Sequence, residues 1–269
     1  MLIKILTLMP IKNTMKKIAL ITGATSGIGE ATAILLAKND FNLIITGRRN
    51  QLLRQLKIKI EGETGVKVLP LNFDIRSQKE VISAINSLKG DWGNIDVLVN
   101  NAGLAVGLNY INEGDVDDWE RMIDTNIKGL LYITKEVSQI MVRRKTGHII
   151  NISSIAGREV YGKGNVYSAT KHAVSALSKA MRIDLVTHNI KVTNISPGFT
   201  ETEFSIVRYK GDKDKAKNVY KGFTPLFAED IADTILYVIT RPSHVNIDDI
   251  LIMPTAQATV GVIHKEEEK

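Results

Sequence analysis

The stretch Ile18-Ala-Leu-Ile-Thr-Gly23-Ala-Thr-Ser-Gly27-Ile-Gly29-Glu30 decides how this 269-residue chain is to be read. A short apolar run breaks into three glycines and passes at once into a helical pattern over residues 27–38. Glycines at 23, 27 and 29 permit a tight turn, close approach of the backbone to a diphosphate, and close packing of helix on strand. Free N–H groups and the helix dipole favour an anion at that turn. Glycines also serve plain turns, so the cluster gains meaning only from the strand before it and the helix after it. A kinase or ATPase phosphate loop needs Lys-Ser/Thr after its last glycine, whereas here Glu30 follows Gly29.

Outward from this turn the pattern keeps alternating. Strands are expected at Ile18–Thr22, Phe41–Thr46, Val66–Phe73, Ile95–Val99, Gly147–Ile152, Ile190–Ser196 and Asp249–Met253. Helices are expected at 27–38, 49–61, 77–88, 229–240 and in a run that carries Tyr167 and ends near His188. Another long helix should follow a loop ending near Val116, with Asp117 or Asp118 as its cap. Near-continuous apolar strands separated by helices imply a parallel sheet covered on both faces. The expectation is α/β: a single doubly wound Rossmann-type domain over 15–262, with a sheet of about seven strands and a polar tail at 263–269. Residues 1–14 contain Lys4 and no small-residue cleavage site, so they do not read as a signal peptide. Met15-Lys16-Lys17 reads as a second natural beginning, which makes 1–14 an expected dispensable extension.

Hydrophobic residues make up 44% and charged residues 24%, ordinary values for a soluble globule with a sizeable core. The net charge is +6, but Lys and Arg are scattered and nowhere interleave with aromatics as a nucleic-acid strip would. Zero cysteines exclude disulfides and thiol chemistry and fit a reducing compartment, so a cytoplasmic location is expected. No apolar run reaches the roughly 18 residues that span a bilayer. The five histidines lack metal-ligand spacing, and no metal is expected.

In a doubly wound sheet, ligands bind beyond the carboxyl ends of the strands, so the residues just after each strand matter most. After the second strand stand Arg48 and Arg49, where an acid would bind the adenosine ribose of NAD. Two guanidiniums suit a 2′-phosphate, and positive charge at a helix start is disfavoured unless an anion is near. NADP is therefore expected over NAD, although two solvated arginines are the plainer reading. After the third strand, Asp74 could accept from an adenine amino group or cap the next helix. Asn100-Asn-Ala-Gly103 follows the fourth strand, and Asn126 lies in the long helix despite its poor helix propensity. Ser153-Ser154 follows the fifth strand with no Gly-x-Ser-x-Gly elbow, which argues against a nucleophile. Tyr167 and Lys171 are spaced i, i+4, side by side on one helix face. A phenol beside an ammonium is a general acid/base unit, the cation lowering the phenol pKa, although such pairs are also common on plain helix surfaces.

These residues together resemble the short-chain dehydrogenase/reductase family. The resemblance rests on Thr22-Gly-x-x-x-Gly-x-Gly29, Asn100-Asn-Ala-Gly103, Asn126, Ser154, Tyr167-x-x-x-Lys171 and Pro197-Gly198 in this order. The stretch from Pro197 to Gly211, with 242–247 and 253–257, is similar to NADP-dependent 3-hydroxy acid dehydrogenases that oxidise L-allo-threonine and serine. The resemblance implies hydride transfer between NADP and a small 3-hydroxy acid such as serine, allo-threonine or 3-hydroxypropionate. It implies Tyr167 as proton donor and acceptor, Ser154 orienting the substrate oxygen, and Lys171 on the nicotinamide ribose. Asn126 would hold a water linking Lys171 to solvent. Cofactor contacts would come from Gly23, Thr25, Ser26, Gly27, Ile28, Gly29, Arg48, Arg49, Asp74, Ile75, Asn101, Tyr167, Lys171, Pro197, Gly198, Thr200 and Thr202. A lid at about 199–222 would cover the substrate, with Arg208 or Arg158 receiving its carboxylate, though each could equally be a solvated surface arginine. A homotetramer is the family expectation. A broad carbonyl or 3-oxoacyl reductase, or a non-catalytic NADP(H)-binding sensor, would carry the same glycine turn; a sensor usually lacks the Tyr or Lys that this chain keeps.

Overall fold

The computed structural model describes residues 16–266, so the extension at 1–14 and the last three residues of the polar tail lie outside the described residues. The first half runs β1 (Ile18–Ile21), α1 (Gly27–Lys38), β2 (Asn42–Gly47), α2 (Asn50–Thr64), β3 (Val68–Asn72), α3 (Gln78–Asn86) and β4 (Ile95–Asn100). Then follow α4 (Val116–Ile123), α5 (Leu130–Arg144), β5 (Gly147–Ile152), α6 (Asn165–Leu185) and β6 (Ile190–Pro197). The chain closes with β7 (Thr200–Glu201), α7 (Phe204–Arg208), α8 (Lys213–Asn218), β8 (Leu226–Phe227), α9 (Ala228–Ile239) and β9 (Asp249–Ile252). Seven strands form one sheet in the order β3-β2-β1-β4-β5-β6-β9, and every pairing in it is parallel.

Side chains alternate across this sheet with a period of two, and both faces are dry. Ala19, Ile21, Leu43, Ile45, Val97, Val99, Ile150 and Ile195 face one layer, where α1, α2 and α9 supply Ala33, Leu36, Leu53, Ile60, Ile231 and Ile235. Ile18, Leu20, Ile44, Leu98, Ile149 and Val192 face the other, against Val81, Ile133, Val137, Met141, Val174 and Met181 from α3, α5 and α6. Each fully buried Leu or Ile contributes about 1.5–3 kcal/mol. The sheet is thereby a rigid platform whose carboxyl edge presents the loops.

The long helix expected after Val116 is present from Val116 to Arg144 and contains one irregular turn. Asp124–Gly129 forms a π turn between α4 and α5. Such bulges frequently mark functional positions. Gly129 allows the approach: a Cβ there would lie 2.9 Å from Ile75 Cγ2. The expected cap at Asp117 or Asp118 is corrected. The helix starts earlier, and Asp115 caps it by accepting from the Asp117 N–H at 3.0 Å. Asp118 is buried, and its carboxylate forms an ion pair with Lys210 Nζ at 2.7 Å. The irregular 199–222 stretch holds α7 and α8, and its base is tied down by the parallel pairing of β7 with β8.

Because β1 pairs with β2 on one side and β4 on the other, the strand order reverses between β1 and β4. A crevice must open at the carboxyl end of that switch point.

Candidate active site

The crevice is a cleft of about 600 Å³ that runs from the glycine turn, past the ends of β2, β4 and β5, to the lid. Its floor is the β1–α1 turn. Gly27 has φ +54°, a left-handed conformation that glycine adopts without strain. Gly29 is needed for space: a Cβ there would stand 2.4 Å from the Gly23 carbonyl oxygen and 2.5 Å from Asn101 Nδ2. Asn101 ties the turn to the end of β4, donating to the carbonyls of Thr22 at 2.9 Å and Gly23 at 3.2 Å. Its amide is thus taken up by the protein backbone while its edge lines the cleft.

At the end of β2, Arg48 and Arg49 both line the cleft. Arg49 folds back on the glycine turn, with Nε and Nη2 donating to Thr25 Oγ1 at 3.0 and 2.9 Å and Nη2 donating to Ser26 Oγ at 2.7 Å. Its Nη1 donates to the Glu203 carboxylate at 2.9 Å. Arg48 lies 4.0 Å from Asp74. Asp74 does not cap α3; Ser77 does, accepting from the Glu80 N–H. Asp74 accepts instead from Arg76 Nη2 at 2.6 Å. Partial burial pushes its carboxyl up, but the Arg76 hydrogen bonds and charge outweigh this and hold it below the usual carboxylate range.

At the end of β5, Ser154 leaves the strand extended and accepts from the Ala156 N–H at 3.1 Å. Tyr167 and Lys171 lie buried on α6 and line the cleft with it. Lys171 Nζ donates to the Ile152 carbonyl at 2.9 Å and stands 5.9 Å from the Tyr167 ring centroid. Burial lowers the Lys171 pKa to about 8. Burial also pushes the Tyr167 phenol well above its ordinary value, against the lowering influence of a Ser154 hydrogen bond and the Arg208 charge. In the free protein, desolvation outweighs the lowering of Tyr167 that the sequence suggested, and Arg208 adds its charge on the lowering side.

Arg208 comes from the end of α7. Its guanidinium lies 5.3 Å from the Tyr161 ring centroid and 5.6 Å from that of Tyr167. Nη2 donates to the Tyr161 hydroxyl at 2.5 Å. Nε is buried and has no hydrogen-bond partner among the described residues. The Gly107 N–H donates to the Arg208 carbonyl at 3.1 Å, which holds the end of α7 against the β4–α4 loop. Phe204 packs on Tyr167 with ring centroids 5.5 Å apart. Tyr220 donates to the Thr200 carbonyl at 2.9 Å, bracing the lid from within.

A buried phenol, a buried lysine with a lowered pKa, a serine and a glycine turn on one parallel-sheet edge form the layout of a dehydrogenase. The model of the short chain dehydrogenase family matches residues 17–212. This chain belongs to that family. A curated short-chain dehydrogenase relative from Salmonella typhi, an NADP-dependent 3-hydroxy acid dehydrogenase, is 46% identical over 250 residues, covering 92% of this chain and 99% of its own. One of the same description from Schizosaccharomyces pombe is 41% identical, covering 93% of this chain and 97% of its own. A solved closed form of serine dehydrogenase complexed with NADP+ superposes with a TM-score of 0.87 at 43% identity, over 93% of this chain and all of that one.

Within this short-chain dehydrogenase frame, most residues picked from the sequence meet in one cleft. Gly23, Thr25, Ser26, Gly27, Ile28, Asp74, Ile75, Pro197, Gly198, Thr200 and Thr202 line it with Ser154, Tyr167, Lys171 and Arg208. Arg158 does not line it: its guanidinium pairs with Asp249 of β9 at 2.8 Å. Asn126 stands behind the lining. Its amide donates to the Leu104 carbonyl at 2.9 Å and to Thr170 Oγ1 at 3.0 Å, and its oxygen accepts from the Leu104 N–H at 2.8 Å. Those bonds let the side chain position the 103–104 backbone and α6. Sequence reasoning passed over Tyr161, Phe204 and Gln257. Gln257 is buried and accepts from the Phe199 N–H at 2.9 Å, fixing the backbone beside Gly198. The only sequence cue for it was its place at the end of the 253–257 segment. Among the described residues, no group of three or more His, Cys, Asp or Glu could hold a metal. No described helix is long and apolar enough to cross a membrane.

Proposed function

We propose that this chain, an NADP-dependent oxidoreductase of the short-chain dehydrogenase family, interconverts a small 3-hydroxy acid such as serine, allo-threonine or 3-hydroxypropionate with its 3-oxo acid. The observation that carries the substrate class is Arg208, a guanidinium that lines the cleft 5.6 Å from the Tyr167 ring centroid. A carboxylate is the group such a donor suits best. The 3-hydroxy acid relatives and the serine dehydrogenase likeness support the same class.

The residues present fit an adenine dinucleotide bearing a 2′-phosphate. The glycine turn leaves room beside the α1 N-terminus, and two guanidiniums stand at the β2 end, where residues 46–49 themselves include no acid. In this reading Arg48 and Arg49 bind the phosphate, while Asp74 and Ile75 border the adenine. Pro197, Gly198, Thr200 and Thr202 border the nicotinamide end. NADP, when bound, gives or takes the hydride at C4 of its nicotinamide. Tyr167, kept protonated by burial, gives its proton to the substrate oxygen in the reductive direction and takes it back in the oxidative one. Ser154 donates to the same oxygen and stabilises the charge that develops on it. Lys171 binds a ribose hydroxyl and hands protons on, a task for which a pKa near 8 is suited. The protein is further proposed to be a cytoplasmic homotetramer.

An NADP+ reduction assay over L-serine, allo-threonine, 3-hydroxyisobutyrate and simple alcohols tests the substrate class. Simple alcohols turning over as well as the acids would refute it. Tyr167→Phe should lose nearly all turnover while keeping NADP+ affinity, and substantial residual kcat would refute the acid/base role.

A further inference from the structure

Arg49 of the free protein already holds an anion. Its Nη1 donates to the Glu203 carboxylate at 2.9 Å, while Nε and Nη2 are turned to Thr25 and Ser26 of the glycine turn. Glu203 lies at the base of the lid, one residue after Thr202 and one before α7. That base is pressed onto the turn: a Cβ on Gly27 would come within 3.1 Å of Thr202 Cβ and Cγ2. The lid carboxylate therefore stands beside the guanidinium that the proposed function gives to the 2′-phosphate. Both partners are about half exposed, at 45% and 54% of their side-chain surface, so the pair is readily exchanged.

We propose that Glu203 is a cofactor-selectivity residue, a lid carboxylate that shares Arg49 with the 2′-phosphate and tempers the preference for NADP over NAD. The inference rests on the reading of Arg49 as a phosphate ligand. A phosphate monoester carries about 1.5–2 negative charges, so bringing it to Arg49 either displaces Glu203 or places two anions on one cation. Cofactor without that phosphate meets neither obstacle and leaves the Arg49–Glu203 pair intact. Whatever the pair contributes in the free protein is common to both titrations and cancels in the ratio of the affinities. The ratio therefore reads the difference that Glu203 makes between the two complexes.

The test is calorimetric titration of the whole protein with NADP+ and with NAD+, in wild type, Glu203→Gln and Arg49→Ala. Glutamine keeps the shape and one acceptor while removing the charge. Glu203→Gln is expected to raise Kd(NAD+)/Kd(NADP+) by about two- to five-fold, the size of one exposed charge contact, and to lose that gain at high salt. Arg49→Ala is expected to lower the ratio. An unchanged or lowered ratio in Glu203→Gln, with the ratio also lowered in Arg49→Ala, overturns the selectivity role alone. An unchanged ratio in Arg49→Ala overturns the phosphate reading and the inference with it.

Discussion

Lys171→Met separates what this lysine does for folding from what it does for chemistry. Burial lowers its pKa from 10.5 to about 8. A shift of that size corresponds to about 3 kcal/mol of unfavourable free energy for keeping the charge in the folded state. Methionine keeps the stem volume and removes the charge. It also removes the bond from Nζ to the Ile152 carbonyl, and a hydrogen bond to a charged group is worth roughly 1.5–3 kcal/mol. The two effects oppose each other, so at pH 7 the variant should be as stable as wild type or more so by up to about 2 kcal/mol. Turnover should nevertheless fall at least about a hundred-fold.

The pH dependence sharpens the test. Below pH 8 both folded and unfolded chains hold the proton, so the penalty is constant. Between pH 8 and 10.5 the unfolded chain binds more protons, and wild-type stability should rise with pH relative to the variant. Urea denaturation of the cofactor-free protein at steps from pH 7 to 10.5 measures this difference. A difference that stays flat, or a variant less stable by more than about 3 kcal/mol at pH 7, would refute the reasoning. Either result would mean that attractive contacts hold Lys171 in place and that burial does not oppose its charge.

Gly29→Ala should destabilise by at least about 1–3 kcal/mol and weaken NADP+ binding. Its Cβ would meet the Gly23 carbonyl oxygen and an Asn101 amide that is itself bound to the turn, and neither can swing away; urea midpoints and calorimetry report both effects. His148 is buried, with Nε2 bonded to Thr193 Oγ1, and burial lowers its pKa to about 3. Its folded pKa lies below the unfolded value of 6.5, so stability should fall as pH drops through 6.5, by about 2 kcal/mol at pH 5. A His148→Asn variant should show a flatter stability profile between pH 7 and 5 in the same urea assay. Arg208→Ala should raise KM for a 3-hydroxy acid by about ten-fold or more while leaving the Kd of NADP+ unchanged. Arg158→Ala should leave both unchanged and shift stability by no more than about 1 kcal/mol, since its partner is Asp249 on the sheet edge.

What the sequence made legible was local. The alternation of apolar strands with helices follows from periods of 2 and 3.6 residues, which neighbours a few positions apart already display. The glycine turn was readable because Gly23, Gly27 and Gly29 all act within one strand-turn-helix unit. Tyr167 and Lys171 were readable as neighbours because a helix brings i and i+4 together. The π turn at Asp124–Gly129 was not. The segment reads as ordinary helix, and the bonds that accompany its wider turn run from Asn126 to Leu104 and to Thr170, residues 22 and 44 positions away. The same limit explains the two arginines. Arg158 and Arg208 both follow loops at the carboxyl edge, and only the packing turns one to Asp249 and the other to Tyr161.

The acid/base unit shows the same limit with a mechanistic consequence. Adjacency on α6 suggested that Lys171 lowers the Tyr167 pKa. Burial instead acts on both groups, raising the phenol and lowering the amine, so each drifts toward its neutral form. Lys171 Nζ is turned to the Ile152 carbonyl, whereas the guanidinium that lowers the phenol belongs to Arg208, 41 residues further along the chain, on α7. The cation that acts on Tyr167 thus rides on the lid, and Phe204 of the same short helix packs against the Tyr167 ring. The seating of α7 therefore sets two features of the Tyr167 surroundings, the Arg208 charge and the Phe204 ring, that no neighbour on α6 supplies. A single i, i+4 pair supplies the phenol and the amine, and α7 adds a guanidinium and an aromatic ring to their surroundings from outside that helix.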